Sequence, residues 1–352
     1  MRLPSRAAFA ATAAVCATAL AACGTDTSGS ASGSGEELSV VASTNVWGSI
    51  AQAVAGDRIE VESLIDEPSA DPHSYEASPL DAAAISDASL VVYNGGGYDQ
   101  FVDDILDSTN HNALTVDAFT LFESGEYSDL HAGHDHGTEA DAAPETTADA
   151  GSHSEDEHAG DAGETTDDPH AGHDHSGINE HVWYDLATAD AVAHAVAERL
   201  AELDPEGAET YRANAAEFHA SLHEISDVTS AIATDHPRAP IAQTETIAEY
   251  LVSSTGLEDL TPPDFSNAID NGTDPSPAAI AQTRQLLLDK QVRVLIYNPQ
   301  TEDKVSREMR GAAESAGIPV VEVSETLPEN VDYIQWQTRT AESLAAALDT
   351  AP

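Results

Sequence analysis

The chain has 352 residues and carries 13 Lys and Arg against 63 Asp and Glu, a formal net charge of −50. At roughly 100–200 residues per domain this length predicts about two domains and a substantial core. So acidic a chain has no basic surface to displace counterions from phosphates. That excludes nucleic acid as a partner and disfavours adsorption to anionic lipid; what it attracts is cations. Much of the excess also fits a solvating surface. The sign is uneven, since no Lys or Arg lies between Arg58 and Arg199.

Residues 1–22 read as an export signal: Arg2 and Arg6 precede a small, mostly apolar run from Ala7 to Ala22. The run ends in Leu20-Ala21-Ala22-Cys23-Gly24, which resembles a bacterial lipobox, so cleavage before Cys23 and acylation of its thiol are expected. Cys16 leaves with the signal, and no disulfide or Cys-based metal site is available to the rest of the chain. Residues 23–37 are Ser- and Gly-rich and read as a flexible tether. No later segment is apolar for long enough to span a bilayer.

Order is predicted from Leu38. Leu38 to Ala42 reads as a buried strand, Trp47 to Ala55 as a helix, and Ile59 to Ile65 as an alternating strand. Ser78 to Ser86 reads as a helix and Leu90 to Tyr93 as a strand. Asn94-Gly95-Gly96-Gly97 turns into a helix from Tyr98 to Leu106, and Leu114 to Ala118 is a short strand. Strands alternating with helices imply βαβ units and a mainly parallel sheet. Residues 124–178 then lose nearly all apolar side chains and are predicted to be a disordered insert. Within it His-Ala-Gly-His-Asp-His occurs twice, and eight of the 15 histidines fall there: His131, His134, His136, His153, His158, His170, His173 and His175. Two copies of one hexapeptide point to weak auxiliary metal binding, against the plainer reading of a tolerated acidic linker.

Order resumes at Asn179-Glu180-His181-Val182-Trp183-Tyr184, followed by a helix from Ala187 to Leu203. From Glu206 to Ala233 apolar residues recur at Tyr211, Ala215, Phe218, Leu222, Ile225 and Val228, which predicts one long helix with a single buried face. Pro240 to Gln243 is a strand and Thr246 to Ser254 a helix; Thr261 to Pro275 reads as a loop and Pro277 to Asp289 as a helix. Val292 to Tyr297 is a strong strand, Glu302 to Ala316 a helix, Val320 to Val323 a strand, and Val331 to Leu348 a closing helix. The layout is an α/β lobe over residues 38–205, a connecting helix over 206–235 and a second α/β lobe over 236–352.

Four segments at strand ends or helix starts carry candidate metal donors. Asp71-Pro72-His73 offers an imidazole with a carboxylate placed to orient it. His181 precedes an apolar pair that must be folded. Glu245, in Gln243-Thr244-Glu245, follows a strand; a helix-terminal acid favoured by the dipole is its plain alternative. Glu325, in Ser324-Glu325-Thr326, also follows a strand, with a solvent-facing loop acid as its alternative. Ligands of open α/β sheets bind outside the carboxyl ends of the strands, so a site assembled from both lobes is expected. Two imidazoles and two carboxylates suit a four-coordinate divalent ion. His111, His194, His219, His223 and His236 read as ordinary residues, although His219 and His223 stand four apart on the long helix.

Asp71-Pro72-His73-Ser74-Tyr75-Glu76, an acidic His-rich insert and Glu180-His181-Val182-Trp183 together resemble the solute-binding lipoproteins of zinc/manganese ABC importers. Thr244-Glu245-Thr246-Ile247 and Glu325-Thr326-Leu327-Pro328 look like the family's two C-terminal ligand segments. The resemblance implies two Rossmann-like α/β lobes joined by a long rigid helix, with one metal ion between them on His73, His181, Glu245 and Glu325. It implies a non-enzymatic monomer on the outer face of the cell membrane. The protein would be held there by its lipid anchor and would deliver metal to a permease and its ATPase. Cell adhesion is a further role that names in the family suggest. Glu245 stands where many zinc-specific members have His, and Glu325 where Asp is common. Those oxygens favour manganese or iron, whereas the His-rich insert favours Zn2+, which is the expectation. A metal-dependent hydrolase and a zinc-buffering metallochaperone are the rival readings of the same residues.

Overall fold

The computed structural model describes residues 38–70, 72–109, 113–125, 179–270 and 272–351. Cys23 with the signal and tether, Asp71, His111 and the eight insert histidines lie outside the described residues. No helix among the described residues is long and apolar enough to cross a membrane.

Two four-stranded parallel sheets organise the described residues. The first holds β1 (Val40–Thr44), β2 (Val61–Ile65), β3 (Leu90–Tyr93) and β4 (Leu114–Asp117) in the order β2-β1-β3-β4. Val41 pairs with Glu62 on one side and Val91 on the other. Between these strands run α1 (Asn45–Ala55), α2 (Pro79–Asp87) and α3 (Gln100–Ser108), with α4 (Ala118–Ser124) after β4. The second sheet repeats the plan: β5 (Pro240–Gln243), β6 (Glu258–Asp259), β7 (Val294–Tyr297) and β8 (Val320–Glu322) lie in the order β6-β5-β7-β8. Its helices are α8 (Glu249–Thr255), α9 (Pro263–Asp270), α10 (Pro277–Leu288), α11 (Lys304–Ala316) and α12 (Tyr333–Thr350). The central strands β1, β3 and β7 are buried at every position, as continuous apolar runs covered on both faces should be. In each sheet the connections leave the two central strands in opposite directions, and the crevice at that switch point is where such folds hold ligands.

Between the lobes come α5 (Leu186–Leu203), α6 (Ala208–Ser221) and α7 (His223–Asp235). The predicted single long helix is therefore divided. Leu222 keeps right-handed backbone angles, φ −61° and ψ −21°, and its N–H reaches both Phe218 O and His219 O. That is a local tightening towards a 3-10 turn, not a corner. A second difference is α9, in what reads from sequence as a loop. Pro263 occupies the start of a helix, where its fixed φ and missing N–H are compatible with helical geometry. α4 and the two-residue β6 are likewise additional to the sequence reading.

Helix starts are set by side-chain caps. Ser78 accepts from Leu80 N and Asp81 N while the Asp81 carboxylate accepts from Ser78 N, with Pro79 at the first helical position. Asp185 caps α5 through Thr188 N at 2.9 Å. Such a cap stabilises a helix by about 1 kcal/mol. The largest apolar cluster runs through both lobes, joining Trp47 and Val92 to Tyr211, Ile241, Ile296 and Leu344; a smaller cluster backs each sheet. The lobes thus share a core.

Candidate metal centre

Each of the predicted donors follows the carboxyl end of a strand or the chain's return from the insert. His73 lies in a 3-10 turn (Pro72–Ser74) after β2, and His181 immediately precedes another (Val182–Tyr184) leading to α5. Glu245 follows β5 and precedes the 3-10 turn Thr246–Ala248; Glu325 follows β8. The His73 and His181 rings pack edge to face with centroids 5.7 Å apart. His73 Nε2 is 3.4 Å from Glu325 Oε2, a contact from one lobe to the other. His181, Glu245 and Glu325 are buried, at 6%, 7% and 1% exposure, while the His73 side chain keeps 33%.

The tautomer of His181 follows from its neighbours. Asn179 Oδ1, which can only accept, receives the backbone N–H of His181 and lies 2.9 Å from Nδ1. Nδ1 must carry the proton, which leaves Nε2 as a lone-pair donor. The Asn179 amide also donates to Thr246 O at 2.8 Å, so the group that orients one imidazole is tied to the turn after Glu245. Thr246 is fixed in turn by its N–H and hydroxyl, both donating to Asp270.

The carboxylates are more heavily braced. Asn298 Nδ2 donates to Glu325 Oε1 at 2.8 Å and Tyr98 donates to Oε2 at 3.2 Å. Gln300 Oε1 accepts the Glu325 N–H at 2.6 Å. The amide nitrogen of the same glutamine reaches Pro68 O and Ala70 O, holding the loop that leads to His73. Thr301 Oγ1 sits 2.8 and 3.0 Å from the two oxygens of Glu245. Burial, and next the charge of Glu325, push the Glu245 carboxyl up to about 8, against the pull of hydrogen bonds from Thr301 and Asn298. Two buried carboxylates repelling one another are stabilised by a cation between them.

Several residues of this cluster are absent from the sequence reading. Glu180 offers a donor oxygen within 4.8 Å of donor atoms of His73 and His181. Asn298 and Gln300 directly follow the strand Val294–Tyr297, so the strand-end rule applied to Asn298-Pro299-Gln300 would have found them. Tyr98 is delivered by Gly95, Gly96 and Gly97, at φ 72°, 64° and 90°. A Cβ on Gly96 would meet the Phe119 ring at 2.6 Å, so this turn needs glycine for both its angles and its space. The glycine run that reads in sequence as a turn thus positions a phenol.

The family profile described as "Zinc-uptake complex component A periplasmic" matches residues 40–347. The high-affinity zinc uptake system protein ZnuA of Bacillus subtilis is 26% identical over 295 residues, 83% of this chain and 81% of that protein. The manganese-binding lipoprotein MntA of Halalkalibacterium halodurans is 24% identical over 212 residues, 59% of this chain and 53% of that protein, so the match spans about half of that relative. Among solved structures, the periplasmic zinc binding protein TroA from Treponema pallidum superposes with a TM-score of 0.63 at 15% identity, covering 89% of this chain and 99% of that one. At that identity the likeness speaks for the fold.

Proposed function

The chain belongs to the family of periplasmic zinc-uptake component A proteins, and from that premise we propose that it captures a divalent metal ion between its lobes and delivers it to the permease of an ABC importer. The ion is cargo. His73, His181, Glu245 and Glu325 would hold it, with Glu180 as a further oxygen at the rim. The observation that carries this reading is the approach of His73 Nε2 to Glu325 Oε2, at 3.4 Å, across the crevice between two parallel sheets. Nitrogen and oxygen donors with two negative charges match a 2+ ion chemically and electrostatically.

Zinc is the first choice, because affinity for such donors rises from manganese to zinc and because the histidines of residues 131–175 suit zinc better than manganese. Manganese is the second reading, favoured by the all-oxygen contribution of the second lobe and by the name of one relative. The relatives' names are those of binding and uptake proteins, which favours a carrier over a hydrolase. Export and acylation at Cys23 would tether the carrier to the outer face of the membrane. Metal analysis of the purified chain, followed by titration of the stripped protein, tests the proposal. One tight zinc ion per chain is expected, and the absence of a tight site overturns it. A mass increment of a diacylglycerol on the mature N-terminus tests the anchor.

A further inference from the structure

A second group of donor atoms lies outside the cleft, on the packed faces of α5 and the connecting helices. Asp190 and His194 stand four apart on α5, and His219 and His223 four apart across the break at Leu222. Pairs at this spacing share a helix face, and two such pairs on adjacent helices are a standard way to build a metal site inside a bundle. Asp190 is fully buried. His219 Nδ1 is 2.9 Å from its Oδ2 and His194 Nε2 is 3.7 Å from its Oδ1. One donor atom from each of Asp190, His194 and His219 falls within 4.8 Å of the others. The His219 and His223 rings are 5.9 Å apart, edge to face. The Arg212–Glu198 bidentate pair, with both contacts at 2.7 Å, bridges the two helices one turn further along α5.

We propose that Asp190, His194 and His219, with His223 beside them, form a second site for a divalent cation of the zinc class. Donors bound at about 2.0–2.2 Å to one tetrahedral ion stand roughly 3.3–3.5 Å apart. Side-chain adjustments of an ångström or so bring these three to that spacing. A buried carboxylate faced by two imidazole nitrogens presents the mixed oxygen and nitrogen donors that a 2+ ion of this class takes. The His194 and His219 side chains keep 25% and 27% exposure, which leaves a path for entry. An ion there would staple α5, whose start follows His181, to the helix that joins the lobes. The competing arrangement is a hydrogen-bonded Asp–His cluster without metal.

The experiment counts zinc per full-length chain after equilibrium dialysis at fixed free zinc. It compares the H73A/H181A protein with the same protein carrying H194Q and H219Q as well. The insert histidines are common to both and cancel. A loss of one zinc ion per chain is expected; equal zinc in the two proteins overturns the proposal, and also separates it from the fate of the cleft site. A second measurement needs no substitution. Carbethoxylation of the unaltered chain by diethyl pyrocarbonate, mapped by mass spectrometry, should show His194 and His219 protected by zinc. Unchanged modification of both also overturns it.

Discussion

The imidazoles of the first lobe are packed among rings, with the Asn179 amide orienting His181, whereas the carboxylates of the second are held by amides and hydroxyls. His73 packs on Tyr98 at 4.7 Å and on His181, which in turn packs on Trp183 at 5.1 Å. Glu325 meets Asn298, Tyr98 and Gln300, and Glu245 meets Thr301. The difference follows from charge. A neutral ring costs little to bury and needs one hydrogen bond to fix its tautomer. A carboxylate in the same place needs its lone pairs occupied and its charge met. The second lobe therefore carries the electrostatic cost of burying charge, and the first contributes neutral donors.

The comparison breaks most readily at the donors themselves. H181A and E325Q should each weaken zinc binding by more than the roughly 10–100-fold typical of an outer residue, read by competition with a chelator. Retained affinity in either would remove that donor from the site. N298A, which takes one donor from Glu325 and leaves every proposed ligand in place, should fall within that 10–100-fold range. Y98F, at the longer contact, should cost less. If N298A is silent, the bracing of the second lobe is not functional.

Protons give the next test. Below about 8 the metal-free Glu245 holds its proton, and a metal must displace it. Binding at pH 7 should release a proton, seen as a dependence of calorimetric heat on buffer ionisation enthalpy. Affinity should fall by up to about tenfold per pH unit below 8. Stability of the metal-free protein runs the other way. The folded carboxyl binds its proton more tightly than the unfolded one, so between its ordinary value of 4.5 and about 8 stability should decline as pH rises, by at most about 1.4 kcal/mol per unit. E245Q should flatten that decline in thermal melts across the pH range while losing tight binding. The smallest expected effect is that of deleting residues 126–178: weak sites vanish and the tight affinity stays. A lost tight site would assign the insert to the cleft.

Much of this was legible in the chain. Continuous apolar runs such as Val294–Tyr297 mark buried parallel strands, and donors just beyond strand ends mark the crevice. The misses have physical causes. Pro262-Pro263 reads as a breaker, but a proline at the first helical position starts α9. Leu222 carries no breaking residue, and the tightening there appears only in its hydrogen bonds. His194 and His219 look like ordinary surface residues because 25 positions and a turn between helices separate them, whereas packing sets both against buried Asp190.

The amino-acid order by itself determined which segments become strands and helices and which donor types the chain owns. Those properties depend on local periodicity, capping and side-chain chemistry. Tertiary structure alone decided that Tyr98, Asn298 and Gln300 brace Glu325, that Glu245 feels its charge, and that Asp190 faces two imidazoles. Hydrogen bonds and Coulomb interactions act over a few ångströms, and the contacts between residues 98 and 325 come into that range when two sheets, far apart along the chain, share one core.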